Sequence, residues 1–196
     1  MNALVLGGSG LVGTELVLQL RSDSSFTAVT SFGRAELAAP LPPTLHCDVV
    51  FCCLGTTIKV AGSGEAFREV DQHLPIRIAR AALEKGAQHF IIVSAMGADA
   101  TSRIFYNRVK GEMEAELRTI GYPHVTIVHP SLLLGDRKEK RIGEKIASVL
   151  MRVFSPLIPK KWQAVHVRDV ARVMVESAKN PHPGVRVINN DEIVAA

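Results

Sequence analysis

A glycine-rich turn close to the amino terminus limits the possible folds of this chain more than any other feature. The segment reads Gly7-Gly8-Ser9-Gly10-Leu11-Val12-Gly13 and follows an apolar run at residues 3–6. Glycines at positions 7, 10 and 13 allow a sharp turn off a strand, close approach to a pyrophosphate, and tight packing of the next helix. Amide N–H groups at the start of that helix face the anion. The motif therefore predicts a dinucleotide-binding strand, turn and helix.

The residues around the turn supply the strand and the helix that such a site needs. Apolar residues recur at helical spacing after it, at Val12, Leu16 and Leu20. Gly8, Gly10 and Gly13 also fit a tighter spacing, so the spacing leaves the sub-family of dinucleotide binder open. An ordinary glycine turn is the alternative, but the flanking strand and helix favour the ligand site.

The length and composition indicate one soluble domain. A chain of 196 residues accommodates one doubly wound domain with a full core but no separate large substrate domain. No apolar run approaches the roughly 20 residues that span a bilayer, and the first residues lack the basic start of a secretion signal. We therefore expect a cytoplasmic protein with no membrane contact. The odd number of cysteines, Cys47, Cys52 and Cys53, indicates reduced thiols.

The charge pattern favours a small anionic ligand over a nucleic acid. The net charge is +4, but the basic residues are distributed along the chain, and the densest cluster, residues 137–141, contains an acid and no aromatic residue. The seven histidines are scattered singly, so we expect no metal site. We expect a phosphorylated dinucleotide cofactor and a small-molecule substrate as partners, and leave open a protein partner or a homodimer.

Strand and helix patterns alternate along the chain, which predicts an α/β fold with a doubly wound parallel sheet. Buried strands are predicted at residues 3–6, 26–32, 49–54, 90–93, 125–128 and 185–188. A helix is predicted at residues 75–85, with Asp71 as its cap and Gly86 as its stop. Another is predicted at residues 105–120, with an apolar face and with Glu114 and Arg118 paired on its outside.

The segment between Arg34 and Asp48 departs from this alternation. It contains Pro40, Pro42 and Pro43, and it is too short for a strand followed by a crossover helix. Either the fold lacks one strand and helix here, or residues are missing from the chain. The sequence does not decide between the two.

A tyrosine and a lysine stand four residues apart, at Tyr106 and Lys110. On a helix this spacing places them on one face, one turn apart. An ammonium near a phenol favours the phenolate and makes proton exchange at neutral pH easier. Ser94 follows the predicted strand 90–93, at the edge where doubly wound folds collect ligand-binding groups. In isolation the pair would be an ordinary surface pair, but this context favours a chemical role.

Together these motifs resemble the short-chain dehydrogenase/reductase superfamily. Residues 51–57, 94–99, 106–114, 129–131 and 165–171 extend the likeness to its atypical branch, which includes the Tat-interacting oxidoreductases. The likeness covers most of the chain. It implies a Rossmann-like fold over residues 1–196, with residues 135–161 as a small substrate-side lid.

The resemblance also implies roles for individual residues. Tyr106 would protonate a carbonyl oxygen, Lys110 would hold the nicotinamide ribose, and Ser94 would orient the substrate oxygen. The cofactor-binding residues implied are Gly7, Ser9, Gly10, Leu11, Val12 and Gly13 for the pyrophosphate, Leu54, Gly55 and Thr56 for the adenosine side, and Pro130, Ser131 and Leu132 for the nicotinamide. Contacts to adenine that the family draws from a third strand are missing or displaced in the proline-rich segment.

The end of the second predicted strand bears on the choice of cofactor. An NAD binder usually presents an acid there, but residues 31–34 contain none. The guanidinium of Arg34 suits a 2′-phosphate, so we expect NADP(H) in preference to NAD(H).

We therefore favour an NADP(H)-dependent oxidoreductase that reduces a small carbonyl or oxidises an alcohol. The alternative is a regulatory protein that binds NADP(H) without turnover and acts through a protein partner. The intact set of serine, tyrosine and lysine favours the enzyme. A nucleotide-sugar epimerase or dehydratase ranks lowest, since it needs a larger carboxyl-terminal region.

Overall fold

Short apolar runs form a parallel sheet at the centre of the computed structural model, which describes residues 1–135 and 159–196. The central strands are buried on both faces, as the near-continuous apolar sequence of strands in parallel sheets requires. In chain order the strands are β1 (Asn2–Leu6), β2 (Ala28–Phe32), β3 (Val49–Cys52), β4 (His89–Val93), β5 (His124–His129), β6 (Leu133–Leu134), β7 (Val165–His166) and β8 (Gly184–Asn189). In the described residues the main sheet runs β2-β1-β3-β4-β5-β8, all parallel, and β6 pairs with β7 alone.

Helices cover both faces of this sheet. They are α1 (Leu11–Ser22), α2 (Ile58–Ala61), α3 (Gly64–Arg68), α4 (Leu74–Glu84), α5 (Phe105–Arg118), α6 (Val167–Lys179) and α7 (Asn190–Ala195). On one face α1 and α6 bury Leu16 and Met174 in one apolar cluster, and on the other α4 and α5 bury Ile78 and Met113 in a second. None of the described helices is both long and apolar enough to span a bilayer. The predicted doubly wound parallel sheet is thus confirmed.

The proline-rich segment joins β2 to β3 without a strand or an α-helix of its own. It contains one 3₁₀ turn, Glu36–Ala38, and buries Leu37 and Leu41 against the second apolar cluster. β3 then pairs with β1 on the side opposite β2. The sheet of this chain therefore has no strand or α-helix at this point, and the two alternatives of the sequence analysis both stay predictions.

Two details of the helix predictions are wrong. Asp71 does not cap α4: it lies within a π-helical turn, Glu69–His73, that connects α3 to α4, and the N-cap position of α4 is His73, without a side-chain cap. Glu114 is not on the outside of α5, because its side chain is 4% exposed. In both cases a partner from another part of the chain compensates the buried carboxylate, and sequence periodicity does not reveal that partner.

Candidate active site

The turn between β1 and α1 is packed so closely that several of its positions accept only glycine. Gly7 has a φ of +81°, and a Cβ on Gly13 would lie 2.1 Å from the carbonyl oxygen of Gly7. A Cβ on Gly8 would lie 1.9 Å from Ser31 Oγ. No side chain caps α1, while Ser9 and Gly10 are exposed at its start. The first amide groups of α1 are therefore open to an anion, which fits the pyrophosphate of a dinucleotide.

The end of β2 carries both a cation and an acid. Arg34 is exposed and has no ion pair within the described residues. Glu36 Oε2 accepts a hydrogen bond of 2.6 Å from the Gly33 amide, and a Cβ on Gly33 would lie 3.8 Å from Ser9 Oγ. Glu36 lies two positions beyond the segment 31–34, in which the sequence analysis expects the acid. Its distance of about 20 residues from the glycine motif was the available signal.

The loop after β3 is attached to a buried carboxylate. The Thr56 amide donates a hydrogen bond of 2.9 Å to Asp71 Oδ2. Leu54 is buried, whereas Gly55 is exposed at the carboxyl edge of the sheet. The side-chain oxygen of Thr56 is buried and has no partner in the described part of the chain. This loop therefore presents exposed backbone beside the glycine turn, as the adenosine side of a cofactor site needs.

Tyr106 and Lys110 occupy the first two turns of α5. The Tyr106 ring is partly exposed and packs 5.6 Å from the ring of Phe67, while Lys110 is buried and its Nζ lies 2.8 Å from Asp71 Oδ1. Burial by itself lowers the pKa of Lys110, but the Asp71 carboxylate and the Tyr106 phenol outweigh it and raise this pKa above its ordinary value. The site therefore holds a buried, charged lysine next to a partly exposed phenol.

The hydroxyl of Ser94 is hydrogen-bonded within the protein. Its hydroxyl is buried and donates a hydrogen bond of 2.5 Å to Glu114 Oε1. Glu114 stands eight residues beyond Tyr106, which is a rise of about 12 Å along α5. The single hydroxyl proton of Ser94 is thus used inside the protein, and its role towards a substrate oxygen stays a prediction.

Glu114 is the centre of a buried polar cluster. His129 Nε2 lies 2.7 Å from its Oε1 and Arg118 Nη2 lies 3.3 Å from its Oε2. Burial raises the pKa of Glu114, but hydrogen bonds from His129 and Ser94 and the charge of Arg118 lower it below its ordinary value overall. The carboxylate is therefore charged at neutral pH, and His129 holds it from the end of β5.

The loop after β5 is held by Asn190, which the sequence reading did not single out. The Ser131 amide donates to Asn190 Oδ1 at 2.8 Å, and the Ser131 hydroxyl donates to the Gln163 carbonyl. Pro130 is buried and Leu132 is exposed. The polar groups of Ser131 are thus used to hold this loop. Of the predicted lid, residues 135–161, the part at 136–158 lies outside the described residues.

The comparisons with known proteins agree with this architecture. The NAD(P)H-binding family matches residues 35–181. The chain belongs to the NAD(P)H-binding family. It is 31% identical to the protein HTATIP2 of Rattus norvegicus over 217 aligned positions, which cover 98% of this chain and 88% of that protein. It is 28% identical to the mitochondrial protein FMP52 of Candida albicans over 222 positions, 99% of this chain and 97% of that one.

Solved structures with the same fold bind both kinds of nicotinamide dinucleotide. The human epimerase family protein SDR39U1 with NADPH has a TM-score of 0.63 and 19% identity, over 98% of this chain and 77% of that one. MoeE5 in complex with UDP-glucose and NAD has a TM-score of 0.69 and 16% identity, over 100% of this chain and 80% of that one. These structures show the shared fold, while the family match and the similarity to HTATIP2 confirm the resemblance that the sequence motifs indicated.

Proposed function

We propose that this protein is an NADP(H)-dependent oxidoreductase that reduces a small carbonyl or oxidises the corresponding alcohol. The observation that carries the proposal is the buried, charged Lys110 beside the partly exposed Tyr106, at the edge of the sheet that also holds the glycine turn. A buried ammonium next to a phenol is an arrangement suited to proton transfer.

In this mechanism the chain binds the cofactor, orients the reacting groups and moves a proton. The glycine turn would hold the pyrophosphate, residues 54–56 the adenosine side, and residues 130–132 the nicotinamide. The bound cofactor would supply the hydride. Tyr106 would donate its phenol proton to the carbonyl oxygen as that oxygen gains charge. Lys110 would bind the nicotinamide ribose and stabilise the phenolate that remains on Tyr106.

The preference for NADP(H) rests on Arg34. Its exposed guanidinium has no described ion pair and suits a 2′-phosphate. Glu36 opposes this preference, because a carboxylate at the end of β2 suits the ribose hydroxyls of NAD(H). We expect Arg34→Ala to weaken NADPH binding about tenfold and NADH binding by less than twofold. Glu36→Gln should strengthen NADPH binding. Equal effects of Arg34→Ala on both cofactors, measured by calorimetry, would remove the phosphate contact from the proposal.

A second candidate function is NADP(H) binding without turnover, in a regulatory protein that acts by associating with a protein partner. Ser94 favours it, because the hydroxyl that would orient a substrate oxygen is bound to Glu114. The cytoplasmic location expected from the sequence stays a prediction. Since FMP52 relatives carry the word mitochondrial in their name, cell fractionation is its test.

The decisive experiment measures binding and turnover on the same protein. Calorimetric titration with NADPH and NADH comes first. A panel of small aldehydes, ketones and quinones is then added, and loss of nicotinamide absorbance is followed. We expect Tyr106→Phe to keep NADPH affinity within about threefold and to lose at least about 100-fold in turnover. Tight binding with no turnover on the panel would favour the second candidate, and no binding would overturn both.

A further inference from the structure

Asp71 is the most completely buried charged residue in the described part of the chain, with 1% of its surface exposed. It lies in the π-helical turn Glu69–His73 between α3 and α4. One carboxylate oxygen lies 2.8 Å from Lys110 Nζ and the other accepts the Thr56 amide at 2.9 Å. Asp71 thus contacts the predicted cofactor loop and the predicted catalytic lysine at the same time.

The turn that holds Asp71 is fastened to α5 on both sides. Arg68 pairs with Glu112, and Gln72 Nε2 donates to Glu116 Oε1 at 2.8 Å. π-helical turns are rare in proteins, and those that occur are often found at functional sites. Because these contacts on either side hold the turn against α5, they also fix the position of Asp71 relative to Lys110.

Stability does not explain why two charges are buried here. A buried ion pair loses the hydration of both groups, and a pair of apolar residues of similar volume often stabilises a fold as well or better. The pair has a chemical consequence, however. Asp71 compensates the charge of Lys110, so that a buried ammonium persists beside the phenol of Tyr106.

We propose that Asp71 is a positioning residue, which keeps Lys110 charged and directed towards Tyr106 and connects this lysine to the loop at Thr56. This inference rests on the proposed function for its catalytic meaning. The groups that act on Lys110 in the described structure are Asp71, Tyr106 and the Cys52 thiol. Burial raises the pKa of Cys52 to about 12, so that thiol is neutral at neutral pH.

Removal of the Asp71 charge has two effects that act in the same direction. A lysine buried without a partner loses its proton at lower pH, because burial disfavours the ammonium. While it remains charged, its uncompensated field favours the phenolate of Tyr106 at lower pH. In the first case turnover falls because no ammonium is left to stabilise the phenolate, and in the second because Tyr106 has lost the proton that it would donate. Either effect moves the alkaline limb of NADPH-dependent reduction to lower pH.

The first test is the pH profile of kcat for Asp71→Asn, which keeps an acceptor for the Thr56 amide. We expect the alkaline limb to move down by about one to three pH units, with NADPH affinity changed less than about threefold. Glu69→Gln is the matched control, since it removes a carboxylate from the same turn, where Glu69 pairs with exposed Arg77. An unchanged limb in Asp71→Asn, or an equal shift in Glu69→Gln, would overturn the proposal.

The second test needs neither cofactor nor turnover. In protein labelled with ¹³C at lysine Cε, the Lys110 signal should report a pKa above the ordinary lysine value of 10.5 in the wild type. It should titrate at least about one pH unit lower in Asp71→Asn, and Asp71→Glu should restore most of the difference. A wild-type Lys110 that is neutral below pH 9 overturns the proposal even if Asp71→Asn does not fold. Failure of NADPH binding in the wild type would instead overturn the proposed function.

Discussion

Two buried ionic clusters lie one turn apart on the same face of α5, and they differ in the parts of the fold that they connect. The first contains Lys110 and Asp71, and the second contains Glu114 with Ser94, His129 and Arg118. In each a charged side chain of α5 is about 4% exposed. The spacing along α5 is the same in both, because Tyr106, Lys110 and Glu114 follow one another at intervals of four residues.

The partners make the difference. Asp71 reaches Lys110 from a helical turn and also holds the Thr56 loop, so the first cluster connects elements that surround the predicted cofactor site. Ser94 and His129 reach Glu114 from the ends of β4 and β5, so the second cluster fastens a helix to the sheet. The comparison teaches that position on α5 does not distinguish a chemical from a structural role, whereas the element that supplies the partner does.

The sharpest test of this comparison replaces both charged residues of one ion pair in each cluster by neutral ones. We expect Asp71→Asn/Lys110→Met to lose at least about 100-fold in reductase turnover, because no ammonium remains beside Tyr106. Its free energy of unfolding in urea should change by less than about 2 kcal/mol, since neither charge is left unpaired. The matched control is Glu114→Gln/Arg118→Met, which should keep turnover within about threefold. Equal losses of turnover in the two pairs would contradict the distinction.

Breaking the second cluster on one side should cost stability. Glu114→Ala leaves His129 and Ser94 without their acceptor, and we expect the free energy of unfolding at pH 7 to fall by about 3 kcal/mol. The folded pKa of Glu114 is lowered, so its contribution is complete above the ordinary value of 4.5 and is lost as the pH falls through the folded pKa. The difference from the wild type should therefore shrink below pH 4.5. A constant difference from pH 7 to pH 3 would contradict this account.

The opposite end of β4 provides a titrating site far from both clusters. Burial, aided by the charge of His124, lowers the pKa of His89 from 6.5 to about 4, and its Nε2 lies 2.9 Å from Thr126 Oγ1. The unfolded chain takes up this proton first as the pH falls, so stability should drop between pH 6.5 and 4, by up to about 3 kcal/mol. Urea unfolding across this range should show a smaller drop in His89→Gln. An identical drop would assign the effect to other groups.

The smallest effect is expected for Ser94→Ala. Loss of the hydrogen bond to Glu114 should lower the free energy of unfolding by about 1 to 2 kcal/mol. Turnover should change by less than about threefold, because the hydroxyl is bound inside the second cluster. A loss of 100-fold in turnover without a change in stability would restore the role that the family resemblance implies for Ser94.

Much of the fold could be predicted because its signals are local. The apolar runs at β1, β3 and β4 and the stop at Gly86 depend on neighbours in sequence, and the structure confirms them. The site was predictable only where its residues are also close in sequence, as Tyr106 and Lys110 are. Asp71 escaped notice as their partner because 39 positions separate it from Lys110, and its role was taken for a helix cap.

The sequence by itself determined the glycine turn, the alternation of strands and helices, and the placement of Tyr106 and Lys110 on one helix face. These follow from backbone geometry and periodicity, which act over a few residues. Only the tertiary structure decided that Asp71 meets Lys110, that Glu114 is buried, and that Ser94 serves Glu114. A buried charge is tolerated only where an opposite charge or a hydrogen-bond partner arrives from elsewhere in the chain, and the packing of helices on the sheet determines which one arrives.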